Sequence, residues 1–586
     1  MAQPILSPLQ LLPLHVVKLI VNHVVGSSRL RYDGVQAKLR VYRELLRPLR
    51  SVSHNFRDIA LSYYWKTLKI NLTNKDFGDS HGYDPPLGVT DTLFHLADHF
   101  GYPTCHLAKD VTIFLDERAV FSGKALEMLC VGDYASCPFP AARKVSFIFI
   151  DDSMEEEGDD DDDDDDLAID LAKAEANTRA FVKRIKQMAP SVSEIRIKLP
   201  DCDDFPSAVS QPLSDLVSQL FEFASCIGYN FESYDADPLH LRLDTTDSLT
   251  HIRYKSEASR GNVDEFIQLA KRNALTLQSL LLEDESGFDV LSLVRNDDGR
   301  CVTYPCLLSL YLYAFNFGRE MLGRPIFRGT APFPILRRLR ILLDSPFDDD
   351  TFFRGNAATL EQLSFYLDMR SVSMLRKYQV FVPDSHPKLQ AVQLSLTVDF
   401  GLESFASPAE AMEFIHTIGS GAVVLEYNVE REVDIFSSLD NHACIQVLIL
   451  RTLPLELATV LNLIKSLPLL SDLHTGMPSL GPMPDGVTMD ALPEYVVSQY
   501  APMGERFRCW HFYNGHSRHC NDLETYVTCV LMLALACPNF DYAVPPSGIR
   551  NLFMERLRKE MTSDRFKPYA PRLRRLLFLG WNVKND

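Results

Sequence analysis

NVDEFIQLAKRNALTLQSLLLE, residues 262–283, decides how this chain is read. Its first part, NVDEFIQLAKRNA, carries helical periodicity. Its second part carries Leu277-x-x-Leu280-x-Leu282, an apolar alternation that buries one face of a strand and turns the residues between outward. The same pattern returns at Leu249-x-x-Ile252-x-Tyr254, Leu307-x-x-Leu310-x-Leu312, Leu336-x-x-Leu339-x-Ile341 and Leu360-x-x-Leu363-x-Phe365. It returns again at Leu389-x-x-Val392-x-Leu394, Ala422-x-x-Leu425-x-Tyr427 and Cys444-x-x-Val447-x-Ile449. Three apolar positions match by chance about one time in ten in so apolar a chain, so no single match decides anything. The spacing does. The central residues 252, 280, 310, 339, 363, 392, 425 and 447 step by 28, 30, 29, 24, 29, 33 and 22. Periods of this size mark stacked supersecondary units. A second helical stretch, SPAEAMEFIHTIG at 407–419, precedes Ala422.

This pattern resembles the leucine-rich repeat family, in its irregular, long-repeat form. The resemblance implies an α/β solenoid with parallel strands on the concave side and helices on the convex side. Weaker matches extend it to Trp65-x-x-Leu68, Ala108-x-x-Val111, Val145, Ile195, Leu473, Phe540 and Leu573-x-x-Leu576. Fifteen candidate strands at about 4.8 Å give roughly 65 Å of strand face, enough for a protein patch of about 800 Å² per side. Glu285, Phe315 and Asp344 stand where regular repeats carry Asn or Cys, so no Asn ladder is expected. Outward positions mix signs, with Arg337, Arg338 and Arg340 in one unit and Glu361, Gln362 and Ser364 in the next. No single ligand charge emerges from them.

The chain opens differently. LLPLHVVKLIVNHVV, 11–25, places Val16, Val17, Ile20, Val21 and Val24 on one helical face behind Pro13. GSSR at 26–29 ends it. Leu45, Leu46, Leu49, Val52, Phe56 and Ile59 share a second face, divided into two short helices by Pro48. Trp65 leads into the strand pattern Leu68, Ile70, Leu72. This opening resembles the F-box, whose Leu-Pro start, apolar helix, two short helices and Trp segment bind the Skp adaptor of cullin-type ubiquitin ligases. The resemblance implies an adaptor surface of Leu12, Pro13, Val16, Val17, Ile20, Leu49, Val52 and Phe56. The linker before Leu45 is longer than the family's, and Val52-Ser53-His54-Asn55-Phe56 stands for its common Val-Cys-x-x-Trp. Three helices that merely cap the next domain are the other reading.

The net charge of −19 argues against a nucleic-acid or anionic-membrane binder. Much of it is local. Residues 151–166, DDSMEEEGDDDDDDDD, hold 13 acids and no base, and setting them aside leaves −6. Eight consecutive Asp cannot be buried, so the tract reads as a disordered insert, with a lure for a basic partner as its functional alternative. The twelve scattered Cys read as buried hydrophobes of an intracellular protein. The opening helix lacks the basic start of a signal peptide, and VTCVLMLALAC at 527–537 is too short to span a bilayer.

One stretch has metal-like content. CWHFYNGHSRHC, 509–520, holds Cys509, His511, His516, His519 and Cys520, but at no standard zinc spacing, so a loop without metal is expected. Phosphate-binding, zincin and nucleophile-elbow motifs are absent, and Ser517 beside His516 and His519 is adjacency rather than a triad. The expectation is therefore a non-enzymatic intracellular protein of cytoplasm or nucleus, without cofactor. Residues 1–64 form an F-box-like helical domain, and 65–586 form an irregular solenoid interrupted at 151–166. It recruits an unidentified protein substrate to a cullin-type ligase through a Skp-type adaptor. A binding scaffold with no ligase link is the alternative, and a hydrolase or metalloprotein built around 509–520 is a third, minor reading.

Overall fold

The computed structural model describes residues 67–73, 108–131, 138–150, 170–199, 207–231, 239–257, 263–284, 288–314, 332–343, 358–368, 386–397, 424–428, 445–450, 454–513, 523–544 and 550–577, apart from single positions within these ranges. Leu12, Pro13, Val16, Val17, Ile20, Leu49, Val52 and Phe56 lie outside the described residues. So do the boundary expected at 64/65, the acidic tract and the stretch 407–419. The chain divides into two compact units, Met1–Ser286 and Gly287–Asp586.

In the first unit seven strands among the described residues run in chain order: β1 Thr67–Asn71, β2 Asp110–Leu115, β3 Lys144–Phe149, β4 Glu194–Leu199, β5 Cys226–Phe231, β6 His251–Ser256 and β7 Ser279–Asp284. Each pairs parallel with the next. Parallel neighbours need a crossover, and among the described residues helices supply it from β2 to β3, β3 to β4, β4 to β5 and β6 to β7: α1 Glu117–Ser122, α2 Lys124–Val131, α3 Leu171–Met188, α4 Ser207–Phe221 and α5 Val263–Arg272. The register aligns Leu68, Val111, Val145, Ile195, Ile227, Ile252 and Leu280 in one inward row. None of these is more than 4% exposed.

Local chemistry fixes the helices. Asp170 caps α3, accepting from the N–H groups of Ala172 and Lys173 at 3.1 and 3.2 Å. Phe181 of α3 then meets Phe147 of β3 edge-on, with ring centres 6.4 Å apart. Helix α5 carries Asp264 and Glu265 in its first turn and Lys271 and Arg272 in its last, each end matched to the helix dipole. Its Phe266 packs 4.6 Å from the Tyr254 ring and 5.5 Å from Tyr229.

A repeated backbone device sets the strand starts. The Lys109 carbonyl accepts from both Arg143 and Lys144 N–H groups, and Arg143 O accepts from Ser193 and Glu194. Ser193 O takes Ser225 and Cys226, Ser225 O takes Thr250 and His251, and Thr250 O takes Gln278 and Ser279. One carbonyl per strand thus holds two backbone donors of the next, and the Ser193, Ser225 and Thr250 hydroxyls add a side-chain donor to the same carbonyls, which pins the register.

The second unit repeats the scheme with nine parallel strands among its described residues: β8 Ser309–Ala314, β9 Arg338–Leu343, β10 Gln362–Asp368, β11 Ala391–Thr397, β12 Val424–Asn428, β13 Val447–Leu450, β14 Asp472–Gly476, β15 Cys509–Tyr513 and β16 Tyr542–Val544. Its described helices are α6 Val290–Val294, α7 Leu457–Ser466, α8 Leu492–Tyr500, α9 Leu523–Ala536, α10 Arg550–Met561 and the short α11 Ala570–Leu573. The apolar run at 527–537 falls on α9, where every residue from Tyr526 to Ala536 is buried. A helix apolar on all sides belongs in an interior, and α9 lies among α7, α8 and α10. Among the described residues no helix is long and apolar enough to cross a membrane.

The architecture is α/β with parallel strands, as the periodicity predicts, but four strand assignments change. Register pairs Leu425 with Leu448, so the core positions there are Ile445, Leu448 and Leu450 rather than Val447 and Ile449, while Cys444 lies outside the described residues. Both faces of CIQVLIL are apolar, and alternation alone cannot choose between them. Leu573 and Leu576 lie in helical turns, 570–573 and 574–577, not in a strand. Strands β5 and β15 were not expected: Ala224 replaces the first Leu of one, and Phe507 and Trp510 replace the Leu pair of the other.

Candidate functional site

Pleating places alternate strand residues on opposite faces. In the first unit the inward row is apolar but for Ser256 and Asp284, and the outward row is not. At its centre Arg196 of β4, Gly228 of β5 and Arg253 of β6 stand side by side in register. Lys144 of β3, Lys198 of β4 and Lys255 of β6 share that face. Asp110, Glu194 and Glu283 are its strand acids and Glu257 follows β6, so among the described side chains five cations face four anions in a chain whose net charge is −19.

Gly228 has a steric role here. A Cβ at this position would sit 3.1 Å from Arg196 Cγ, because the Arg196 stem leans across the strand. Its Nε donates to Glu194 Oε1 at 2.5 Å. Lys255 pairs with Glu257 at 2.6 Å. Arg253 is exposed. Burial first, and then the Arg196 guanidinium, hold the Lys144 ammonium below the ordinary lysine pKa; Glu194 and Asp110 oppose this, and Arg253 adds to it. A bound anion would relieve that crowding. Beside the cations, Cys226 Sγ lies 3.3 Å from His251 Nδ1, which also contacts Thr250 Oγ1 at 2.9 Å.

In the second unit the outward face holds a shallow depression of about 300 Å³. Ser309 and Tyr311 of β8, Arg338 and Arg340 of β9, and Gln362 and Ser364 of β10 line it. The Arg340 guanidinium rests 4.6 Å from the Tyr311 ring centre. Such a contact holds an Arg in place through its cation–π attraction. Arg337 pairs with Glu361 at 3.7 Å beside it. Tyr and Arg are the side chains that most often anchor protein interfaces.

Further along the same unit, Asp472 and His474 of β14 stand in register with Cys509 and His511 of β15. Trp510 and Phe512 turn inward, and Trp510 Nε1 donates to Thr475 Oγ1 at 2.9 Å. The stretch 509–513, expected as loop, is therefore strand: its core side is aromatic, and its outward side is the Cys-His-Tyr series. His516, His519 and Cys520 lie outside the described residues.

Sequence reading found Arg338, Arg340, Gln362 and Ser364, and the structure brings these four together. It missed the Lys144–Arg196–Arg253 group, because the strand that joins Arg196 to Arg253 was not among the expected ones and only register brings them together. It also missed Asp472, which is 37 residues before Cys509 and meets it only through register. No family model matches the chain, and no curated protein matches it.

Proposed function

We propose that this protein is a non-enzymatic adaptor: an irregular leucine-rich-repeat-like solenoid that holds a protein partner on its outward strand face, with an F-box-like start that links it to a Skp-type adaptor of a cullin ubiquitin ligase. One observation carries the binding half. Among the described residues, inward strand positions are apolar but for Ser256, Asp284 and Thr475, whereas outward positions carry long cationic and aromatic side chains in an otherwise acidic protein. That face fits an acidic segment of the partner. The electrostatic part is screened over about 8 Å at physiological ionic strength, so it steers association more than it holds the complex. The Tyr311–Arg340 depression supplies the anchoring contact that outlasts salt.

The ligase half rests on Leu12-Pro13, the apolar face from Val16 to Val24, and Trp65. The longer linker and the Ser53 and Phe56 departures favour the second reading, a scaffold with no ligase link. Size-exclusion chromatography of the full chain with a purified Skp-type adaptor separates the two. The adaptor reading expects a stoichiometric complex that Ile20→Asp abolishes. No complex, together with salt-dependent binding of a labelled poly-glutamate peptide that Arg253→Glu weakens, would leave the scaffold. Failure of both would remove the proposal.

A further inference from the structure

The geometry points to a zinc site between β14 and β15, with Asp472, Cys509 and His511 as its protein ligands. The carboxylate, thiol and imidazole donor atoms all lie within 4.8 Å of one another. In tetrahedral zinc the bonds are about 2.0–2.3 Å, which sets neighbouring ligand atoms roughly 3.3–3.8 Å apart. Closing the remaining ångström needs only side-chain rotation, because the parallel register already places Asp472 beside Cys509 and His511 two residues further on the same face. The N, S and O donors are the set that zinc accepts, and three protein ligands leave a fourth position for water.

The surroundings support the ligands. Ser471 Oγ donates to Asp472 Oδ2 at 2.6 Å and orients the carboxylate. The His474 ring stacks on His511 with centres 4.1 Å apart and planes 10° from parallel. His474 Nδ1 is in turn 3.1 Å from the Tyr513 hydroxyl. Stacking and hydrogen bonding of this kind hold a ligating imidazole in one orientation, as an outer layer does around bound metals. Charge points the same way. Cys509 is fully buried and Asp472 half-buried. A carboxylate beside a thiolate would repel there, whereas a dication balances both charges. On binding, the Cys509 thiol gives its proton to solvent and the S–Zn bond forms. The ion then ties β14 to β15.

The inference does not depend on the adaptor reading. Full-length protein is stripped with a chelator and titrated with Co²⁺ as an optical probe, then with Zn²⁺ in competition. The expected result is one equivalent of Co²⁺ with thiolate-to-metal charge-transfer absorption, displaced by Zn²⁺, and a higher melting temperature for the zinc form. Cys509→Ser loses the charge-transfer band. Because Cys509 is buried and its variant could misfold, Asp472→Asn and His511→Ala are measured alongside, with circular dichroism to confirm folding; each weakens binding at least tenfold. Cys226→Ser, on the other unit, leaves it unchanged. Absence of a stoichiometric band, or a band that survives in all three ligand variants, would overturn the site.

Discussion

Removing one hydroxyl tests the account of the core in the first unit. Tyr254 of β6 is fully buried, and its hydroxyl donates to Asp284 Oδ2 of β7 at 2.8 Å, where Asp284 is also fully buried. Burial first, and then the Asp284 carboxylate, hold the Tyr254 hydroxyl far above the ordinary tyrosine range, so it is a donor at every physiological pH. Tyr254→Phe keeps the ring against Phe266 and Tyr229 and removes the hydroxyl, which donates to Asp284 and also bonds with the buried Ser256 side chain. A hydrogen bond to a charged group contributes about 1.5–3 kcal/mol, so a loss of that size is expected. Phe266→Ala, by contrast, opens a cavity beside both tyrosine rings and costs about 3–5 kcal/mol. The two values are far enough apart to tell a polar cause from a packing one.

The assay must be local, because a chain with two compact units need not unfold in one step. Native-state hydrogen exchange across 251–256 and 279–284 reports the loss where it arises. A cycle with Asp284→Asn sharpens the test. In that background the acceptor is neutral, and Tyr254→Phe should cost only about 0.5–1.5 kcal/mol. A loss below about 0.5 kcal/mol in wild type would refute the bond. Equal losses in both backgrounds would refute the role assigned to the carboxylate charge.

Two further outcomes follow from burial. Tyr254 and Tyr304 both have hydroxyls pushed upward by burial, so their folded pKa values exceed the unfolded value near 10. Their contribution is complete below pH ~10 and is lost above it, where only the unfolded tyrosines ionise, at up to about 1.4 kcal/mol per pH unit for each; urea midpoints between pH 9 and 11 should fall accordingly, and less steeply in Tyr304→Phe. Burial pushes the Cys537 thiol up to about 12, whereas Cys130 is exposed. A thiol-reactive dye at pH 8 should therefore label Cys130 and spare Cys537 when labelled peptides are mapped by mass spectrometry, and rapid labelling of Cys537 would show that the end of α9 opens.

How much of this was legible depends on what each residue competes with. Leu277, Leu280 and Leu282 were readable because Gln278, Ser279 and Glu283 are polar and Leu281 is the one apolar residue on the outward side of β7. At Cys444–Leu450 both faces are apolar, and only the pairing of Leu425 with Leu448 settles which side is core. Strand β5 escaped notice although Ala224-x-x-Ile227-x-Tyr229 fits the same spacing as Ala422-x-x-Leu425-x-Tyr427, because single matches in so apolar a chain carry little weight. Candidate sites were harder for a different reason. Arg196 and Arg253 are 57 positions apart in sequence, and nothing local says that a glycine on the strand between them lets one lean toward the other. Cys509 and His511 could be noticed as donors, but their third partner comes from a different strand. Composition locates side chains that can do chemistry, whereas register decides which of them meet.

The acidic tract gives the last test of that division. It sits between β3, ending at Phe149, and α3, beginning at Leu171. Deleting 151–166 leaves residue 150 and residues 167–170 as the connection, an ordinary length for a strand-to-helix loop, and it keeps the Asp170 cap. Each halving of loop length lowers the closure cost by about 0.6 kcal/mol, so the melting temperature should hold or rise slightly. Charge changes far more. The deletion removes 13 negative charges and takes the net charge from −19 to −6. An acidic probe approaching the Lys144–Arg196–Arg253 face would then meet less long-range repulsion and associate faster at low salt, with the difference vanishing as salt shortens the Debye length. Stopped-flow association of a labelled poly-glutamate peptide measures this directly. Identical rates for both proteins at low salt would mean that the basic face does not take the probe, and a large fall in melting temperature would mean that 151–166 contributes to the folded core rather than standing outside it.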